Sequence, residues 1–344
     1  MKAAFLEDWN FLRVCERETP IPNEREALLR VIYGGICGSD ITVYRGQHMT
    51  AEKPVILCHE ILGRVEQLPQ AWEGEIQIGD TVLVNPVMEC GKCEACLAGH
   101  GNVCRNLRLL GIHENGGFAE YVKVRADRMV KAPKNLPLKI AALGEPFAVG
   151  YHVTSRAQVK KGDRVLIVGA GTIGLVTALT MREKGAGEVW VAERNPRRRE
   201  LAEKLGFGTI DVSSTELLQA AKENTGQVGY DMVIDASGAR DVVKILPDLC
   251  KIRGRLMSLG LSGACYEFPM GKVSFKEQEV IGSRLYSQEH FIAGVELLSR
   301  LYRKYPVECL ISEEIPLDQI VCGIERMING KALGKILVAC EREL

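Results

Sequence analysis

The segment VLIVGAGTIG, residues 165–174, constrains the fold of this chain more than any other. A short apolar run ends in Gly169, Gly171 and Gly174, spaced G-x-G-x-x-G, and TIGLVTALTMREKG then reads as a helix. Glycines at that spacing permit a tight turn between strand and helix and bring a pyrophosphate close to the helix N-terminus. An acidic residue, Glu193, closes the next apolar run about twenty positions on. A carboxylate there can accept both ribose hydroxyls of NAD and would repel the extra phosphate of NADP. Arg194 works against that preference, because a guanidinium beside the same position can grip a 2′-phosphate. The neighbouring sequence keeps the same rhythm. EVWVA is a strand, PRRRELAEKLG a helix with Asn195 as N-cap and Pro196 at N1, and DMVIDASG and GRLMSLG are strands around the helical ARDVVKILPDLC. Alternating strands and helices predict a parallel, doubly wound α/β sheet of the Rossmann kind.

The first part of the chain reads differently. FLRVCERE alternates, EALLRVIY and ILGRVEQL follow, and TVLV comes after the turn residues Gly79 and Asp80. No long amphipathic helix interrupts them, so a β-rich domain of barrel or roll type is expected. After Gly282 a helix around FIAGVELLSRLYRKY leads to the strand-like GKILVAC. A length of 344 residues exceeds what one core serves, which agrees with two domains.

Composition excludes some partners. Lys plus Arg equals Asp plus Glu at 44 each, so charge offers nothing to draw nucleic acid or an anionic membrane. The most apolar stretch, residues 165–179, is too short to span a bilayer and carries three glycines. The opening MKAAFLEDWN lacks the apolar core and cleavage site of a signal peptide, and a reducing cytoplasm is the expected compartment. The twelve cysteines are therefore read as thiols rather than disulfides.

Four of them crowd into CGKCEACLAGHGNVC. Cys90, Cys93, Cys96 and Cys104, spaced x2, x2, x7, can wrap one tetrahedral zinc from a single loop and close it to water and substrate. Such a site is structural. GICGSD and CHE hold a second set of donors: Cys37 a soft thiolate, His59 an imidazole and Glu60 a carboxylate, which suit zinc with one position left open. Spacing alone does not join these three.

Family resemblance does. GICGSD, the His-Glu pair at 59–60, the four-cysteine loop, GGFAEY at 116–121, EPFAVG at 145–150 and GAGTIG all occur in the order found in the zinc-containing medium-chain dehydrogenases/reductases. The chain resembles the branch of sorbitol, threonine and sugar-acid dehydrogenases over essentially its whole length. The resemblance implies a GroES-like catalytic domain over residues 1–150, completed by 291–344, and a Rossmann NAD-binding domain over 151–290, with the active site in the cleft between them. It implies Cys37, His59 and Glu60 as catalytic zinc ligands, with Glu145 approaching the metal directly or through water. Ser39 matches the hydroxyl that passes the substrate proton outward. Glu193 and Arg198 match adenosine-ribose contacts, Ile173 packs by the cofactor, and Leu259, Gly260 and Leu261 line the nicotinamide ribose. Two positions depart from the pattern. Thr42 stands where sorbitol and threonine dehydrogenases carry a histidine, which leaves the relay to Thr42, His48 or water. Cys58 replaces the usual glycine before the His-Glu pair, either as an idle small side chain or as an oxidation-sensitive or competing ligand.

The implied activity is oxidation of a secondary alcohol by hydride transfer to NAD, with two zinc ions per chain and a dimer or tetramer as the assembly. LGIHENGGFAEY, EPFAVG and GSRLYS look most like bacterial L-galactonate and L-gulonate 5-dehydrogenases. Tyr44, His48, His113 and Arg284 are candidates for an oxygen-rich pocket, though each also fits an ordinary core, surface or cofactor role. L-threonine or another secondary alcohol is the alternative substrate. Intact ligands and an intact glycine fingerprint argue against both a zinc-free quinone-type reductase and a non-catalytic regulator that binds NAD(H).

Overall fold

A computed structural model describes residues 1–259 and 266–341. The chain divides into two compact units. One comprises Met1–Ala148, Leu285–Lys304 and Ile311–Leu344; the other comprises Val149–Arg284 and Tyr305–Leu310.

The first unit is β-rich. Its largest sheet has seven strands, running in the order Met129–Lys131, Thr81–Val84, Glu60–Gln67, Glu26–Ile36, Lys335–Ala339, Ile311–Pro316, with Tyr121–Arg125 also paired to Glu26–Ile36. All pairings are antiparallel except that of the last two strands. Strand Glu26–Ile36 is central because it is apolar on both faces: Leu28, Leu29, Val31, Ile32 and Ile36 are all buried. The C-terminal strand Lys335–Ala339 lies against it with Ile336 opposite Ile36 and Leu337 opposite Gly35. This register brings Lys335, near the end of the chain, beside the start of GICGSD. A smaller sheet joins Phe11–Glu16, Lys2–Asp8 and Val55–Ile56.

The second unit is a six-stranded parallel sheet in the order Gly208–Asp211, Glu188–Glu193, Arg164–Val168, Tyr230–Asp235, Cys250–Ser258, Glu279–Gly282. The order reverses between Arg164–Val168 and Tyr230–Asp235, the place where open α/β sheets take their ligands. Leu166, Val168, Ala192, Val233 and Leu256 pack with Ala220, Ala221 and Leu246 into its apolar core. The helix Pro196–Lys204 starts as its sequence requires: the Asn195 side chain accepts from the backbone N–H of Arg197 and Arg198, and proline sits in the first turn. Among the described residues no helix is long and apolar enough to cross a membrane.

Candidate active site

The donor triad is assembled by three elements of the first unit. Cys37 is the N-cap of the short helix Gly38–Tyr44, and its backbone N–H donates to Asp40 Oδ2 at 2.8 Å. His59 and Glu60 lie at the start of strand Glu60–Gln67, which pairs Glu60 with Gly35. One ligand atom each from Cys37, His59 and Glu60 lies within 4.8 Å of the others. A Cβ added to Gly35 would stand 2.1 Å from Glu60 Oε2, so this glycine is what admits the carboxylate.

Two of the three donors are nearly dry, and Cys37 is half-buried. His59 is 7% exposed, Glu60 1% and Asp40 fully buried. Glu60 Oε2 and His59 Nδ1 are buried with no hydrogen-bond partner among the described residues. A buried, unsatisfied carboxylate oxygen facing a thiol and an imidazole is costly unless a cation completes it, and a zinc ion fits these donors. The Asp40 carboxylate lies behind the imidazole, with Oδ1 3.8 Å from His59 Nδ1. That placement matches a carboxylate steering a metal-binding histidine from its far side. Ser39 Oγ is 3.4 Å from the other ring nitrogen, Nε2. Thr42 lies one helical turn on, and its hydroxyl donates to the Ser39 carbonyl at 2.8 Å.

Glu145 is not one of the three clustered donors, but it is 4% exposed and electrostatically close to them. Burial first, and repulsion from Glu60 second, push its carboxyl up to about 7. Its Oε1 accepts from the hydroxyl of the fully buried Tyr286 at 2.6 Å. Glu60 is held in a comparable way. Lys335, 4% exposed, donates from Nζ to Glu60 Oε1 at 2.5 Å and to the Ile36 carbonyl at 3.0 Å. Burial opposes the ammonium charge, but Glu60 and the other anions outweigh it and hold the Lys335 pKa above its ordinary value. Neither Tyr286 nor Lys335 is visible as a site residue in the sequence, since each lies far along the chain from its partner.

Cys58 has φ +88, which accounts for glycine as the residue expected there. Its thiol is fully buried and donates to the Glu60 carbonyl at 3.3 Å, away from the metal cluster. His113 serves as a strut: Nδ1 accepts from the Leu109 N–H at 3.1 Å and Nε2 lies 3.0 Å from Thr50 Oγ1. His48 Nδ1 accepts from the Thr50 N–H at 3.3 Å, and the Tyr44 hydroxyl donates to the Asn10 carbonyl at 2.8 Å.

The four-cysteine loop also closes on itself. Cys90, Cys93, Cys96 and Cys104 place their sulfurs within 4.8 Å of one another. Cys93 Sγ is 3.4 Å from Cys96 Sγ and 3.8 Å from Cys104 Sγ. A tetrahedron with zinc–sulfur bonds of about 2.3 Å has edges of about 3.8 Å. The Arg105 N–H, ahead of the Cys96 N–H, lowers the Cys93 thiol to about 6, which favours the thiolate that a metal requires. All cysteines among the described residues are free of disulfides.

In the second unit the glycine turn joins strand Arg164–Val168 to helix Thr172–Glu183. Gly169 has φ +106, and a Cβ at Gly174 would stand 2.0 Å from the Gly169 carbonyl oxygen, so the helix begins this close only with glycine. The Glu193 carboxylate accepts the Ala170 N–H on Oε2 and the Asn195 N–H on Oε1, both at 2.9 Å. Ile173, Arg198 and Leu259 are half-buried, and the Leu259 N–H donates to the Asp235 carbonyl at 2.8 Å. Gly260 and Leu261 lie outside the described residues.

The geometry has its counterpart in known proteins. Residues 23–134 match the family model of the alcohol dehydrogenase GroES-like domain, and residues 172–300 match that of the zinc-binding dehydrogenases. A 2-dehydro-3-deoxy-L-galactonate 5-dehydrogenase of Pseudoalteromonas atlantica is 32% identical over 331 residues, 96% of each chain. The chain belongs to the zinc-containing medium-chain dehydrogenase/reductase family. As a member it is a zinc-dependent alcohol or polyol dehydrogenase, with a GroES-like fold and a Rossmann fold. Among solved structures, one from Sinorhizobium meliloti assigned to the zinc-binding dehydrogenases and bound to NADP is 32% identical, with TM-score 0.90 and 98% of each chain covered. An alcohol dehydrogenase of Escherichia coli CFT073 complexed with NADH is 30% identical, with TM-score 0.90, covering 98% of this chain and 99% of that one.

Proposed function

We propose that this dehydrogenase oxidises a secondary carbon of a sugar acid or polyol, of the L-galactonate or L-gulonate type, and passes the hydride to NAD. The observation that carries the reading is the gathering of Cys37, His59 and Glu60 within 4.8 Å of one another, with one Glu60 oxygen buried and unpartnered and the Ser39 hydroxyl alongside. When bound, zinc supplies a Lewis acid for the substrate hydroxyl and the nicotinamide supplies the hydride acceptor. The protein's own residues do the rest. Cys37, His59 and Glu60 hold the catalytic metal, with Glu145 as a second carboxylate. Ser39 takes the hydroxyl proton and hands it outward. Cys90, Cys93, Cys96 and Cys104 hold a second, structural zinc. The first 150 residues with 291–344 form the catalytic domain, and 151–290 form the NAD-binding domain.

Gly169, Gly171 and Gly174 let the pyrophosphate reach the helix N-terminus, and Ile173, Arg198 and Leu259, with Gly260 and Leu261, line the rest of the cofactor. Each Glu193 oxygen accepts one backbone N–H, which leaves each a lone pair for a ribose hydroxyl. A 2′-phosphate against that carboxylate costs a few kcal/mol, so kcat/KM should favour NAD over NADP by about tenfold or more. Glu193→Ala should narrow the ratio by raising relative use of NADP. Equal efficiencies in the parent protein would overturn the NAD assignment.

Substrate class rests on resemblance to the 2-dehydro-3-deoxy-L-galactonate 5-dehydrogenase and on Arg284, exposed two residues before Tyr286. A guanidinium there can pair bidentately with a carboxylate remote from the reacting carbon. Arg284→Ala should then depress kcat/KM on an aldonate by about tenfold to a hundredfold more than on the matching neutral polyol. The test is a screen of purified protein with NAD against aldonates, polyols and 3-hydroxy amino acids, read at the reduced-nicotinamide absorbance. Preference for simple aliphatic alcohols or for L-threonine would overturn the sugar-acid reading.

A further inference from the structure

We infer that Lys335 is a positioning residue that makes Glu60 a one-oxygen ligand and thereby keeps a coordination position open for the substrate. The inference rests on the assignment of Glu60 to the catalytic metal and goes beyond it by assigning its two oxygens different tasks.

A carboxylate can bind a metal through one oxygen or both. Bound through both, it fills two positions around the ion, and a four-coordinate site with Cys37 and His59 then has no vacancy for an alcohol. The side chain of Glu60 has no freedom to do this. Its Oε1 is taken by Lys335 Nζ at 2.5 Å, a charge-assisted contact, and the ammonium is anchored a second time by the Ile36 carbonyl at 3.0 Å. Its Oε2 is left buried and unpartnered, pressed against Gly35 where no Cβ could stand, and is the oxygen available to an ion shared with Cys37 and His59. The lysine is itself fixed by backbone register. It opens the strand Lys335–Ala339, and the next residue, Ile336, is opposite Ile36, so Nζ has little room to swing.

Charge balance points the same way. The Cys37 thiol and the carboxyls of Asp40, Glu60 and Glu145 crowd together, four acidic groups for the two charges of one zinc ion. The Lys335 ammonium adds a positive charge beside the buried Glu60, where an unbalanced ion is costly. Glu145 is restrained by the same device with a neutral donor, the Tyr286 hydroxyl on its Oε1. Each acid thus has one oxygen engaged by a buried donor, and the one facing a full positive charge is the member of the donor triad.

Lys335→Met replaces the ammonium with an unbranched apolar chain. Glu60 can then turn both oxygens to the metal, and the positive charge that opposed the ion is gone. Zinc at the Cys37 site should be held about tenfold or more tightly in chelator competition. The cobalt(II)-exchanged protein, read as the difference from Cys37→Ser, should show a weaker visible band, the mark of a higher coordination number. kcat should fall with the position filled, and Lys335→Arg should restore the parent spectrum. Because the metal-free variant leaves a carboxylate buried without its cation, zinc should raise its Tm more than it raises that of the parent. Glu60→Gln distinguishes the two levels of the argument. If it leaves zinc affinity untouched, Glu60 is not a ligand and the assignment of the site fails. If it weakens zinc while Lys335→Met changes neither affinity nor cobalt spectrum, only the role given to Lys335 is overturned. In the Glu60→Gln background Lys335→Met should add nothing to the spectrum, and any further change there would also overturn it.

Discussion

Cys37→Ser is expected to lower kcat/KM by roughly a thousandfold, a loss of about 4 kcal/mol of transition-state stabilisation. Serine keeps the shape but not the ligand, because a hydroxyl remains protonated where a thiol gives up its proton to a metal. The local fold should survive. The helix Gly38–Tyr44 is capped from both sides, by the Cys37 backbone N–H to Asp40 Oδ2 and by the Asp40 backbone N–H to the Cys37 side chain, and a serine hydroxyl at 37 can accept the second as the thiol does. Steady-state rates, bound zinc falling from two ions per chain to one, and an unchanged far-ultraviolet circular dichroism spectrum together make the test. Near-normal turnover in this variant would remove Cys37 from the metal site.

Cys93→Ser should have the opposite profile, with its main effect on structure. The loop that carries the four thiols has almost nothing else to hold it. Its helix, Glu94–Leu97, is four residues long, and Leu97 and Val103 are exposed rather than packed. A segment without an apolar core depends on its metal, and structural zinc contributes about 10 kcal/mol or more to folding such loops. Loss of one thiolate should therefore release the zinc, lower the folded yield and open residues 90–106 to limited proteolysis, with cuts located by mass spectrometry. A variant that kept two zinc ions and resisted cleavage there would show that the thiols do not share a metal.

Much of this molecule can be read from its sequence, and the reasons are local. The strand, glycine turn and helix over 164–183 are specified by an apolar run, three glycines and a helical pattern within twenty residues. Asn195 and Pro196 start the next helix by their own chemistry. The helix Leu217–Thr225 and the four-residue strand Gly208–Asp211 are less visible. The first has a short apolar face and the second is too brief for alternation to register, so both depend on the sheet they pack against. EPFAVG is recognisable as a motif, but its place in the helix Gly144–Ala157 is not, because proline, glycine and β-branched residues weaken any helical pattern there.

The sequence by itself determined the chemistry available: four thiols in one loop, a cysteine and a His-Glu pair of zinc-binding type, and a glycine turn shaped for a dinucleotide. A donor's identity and short-range spacing are properties of the chain, and they survive without a fold. Only the tertiary structure decided which donors meet and how each is held. Strand pairing sets Gly35 against Glu60 and brings Lys335, 275 positions away, onto one oxygen of that carboxylate. The same long-range packing buries Tyr286 against Glu145, 141 positions from it. Such contacts arise from register between strands distant in sequence, which no local pattern encodes. Burial then couples these residues, since an ammonium and a carboxylate govern each other strongly only once water is excluded.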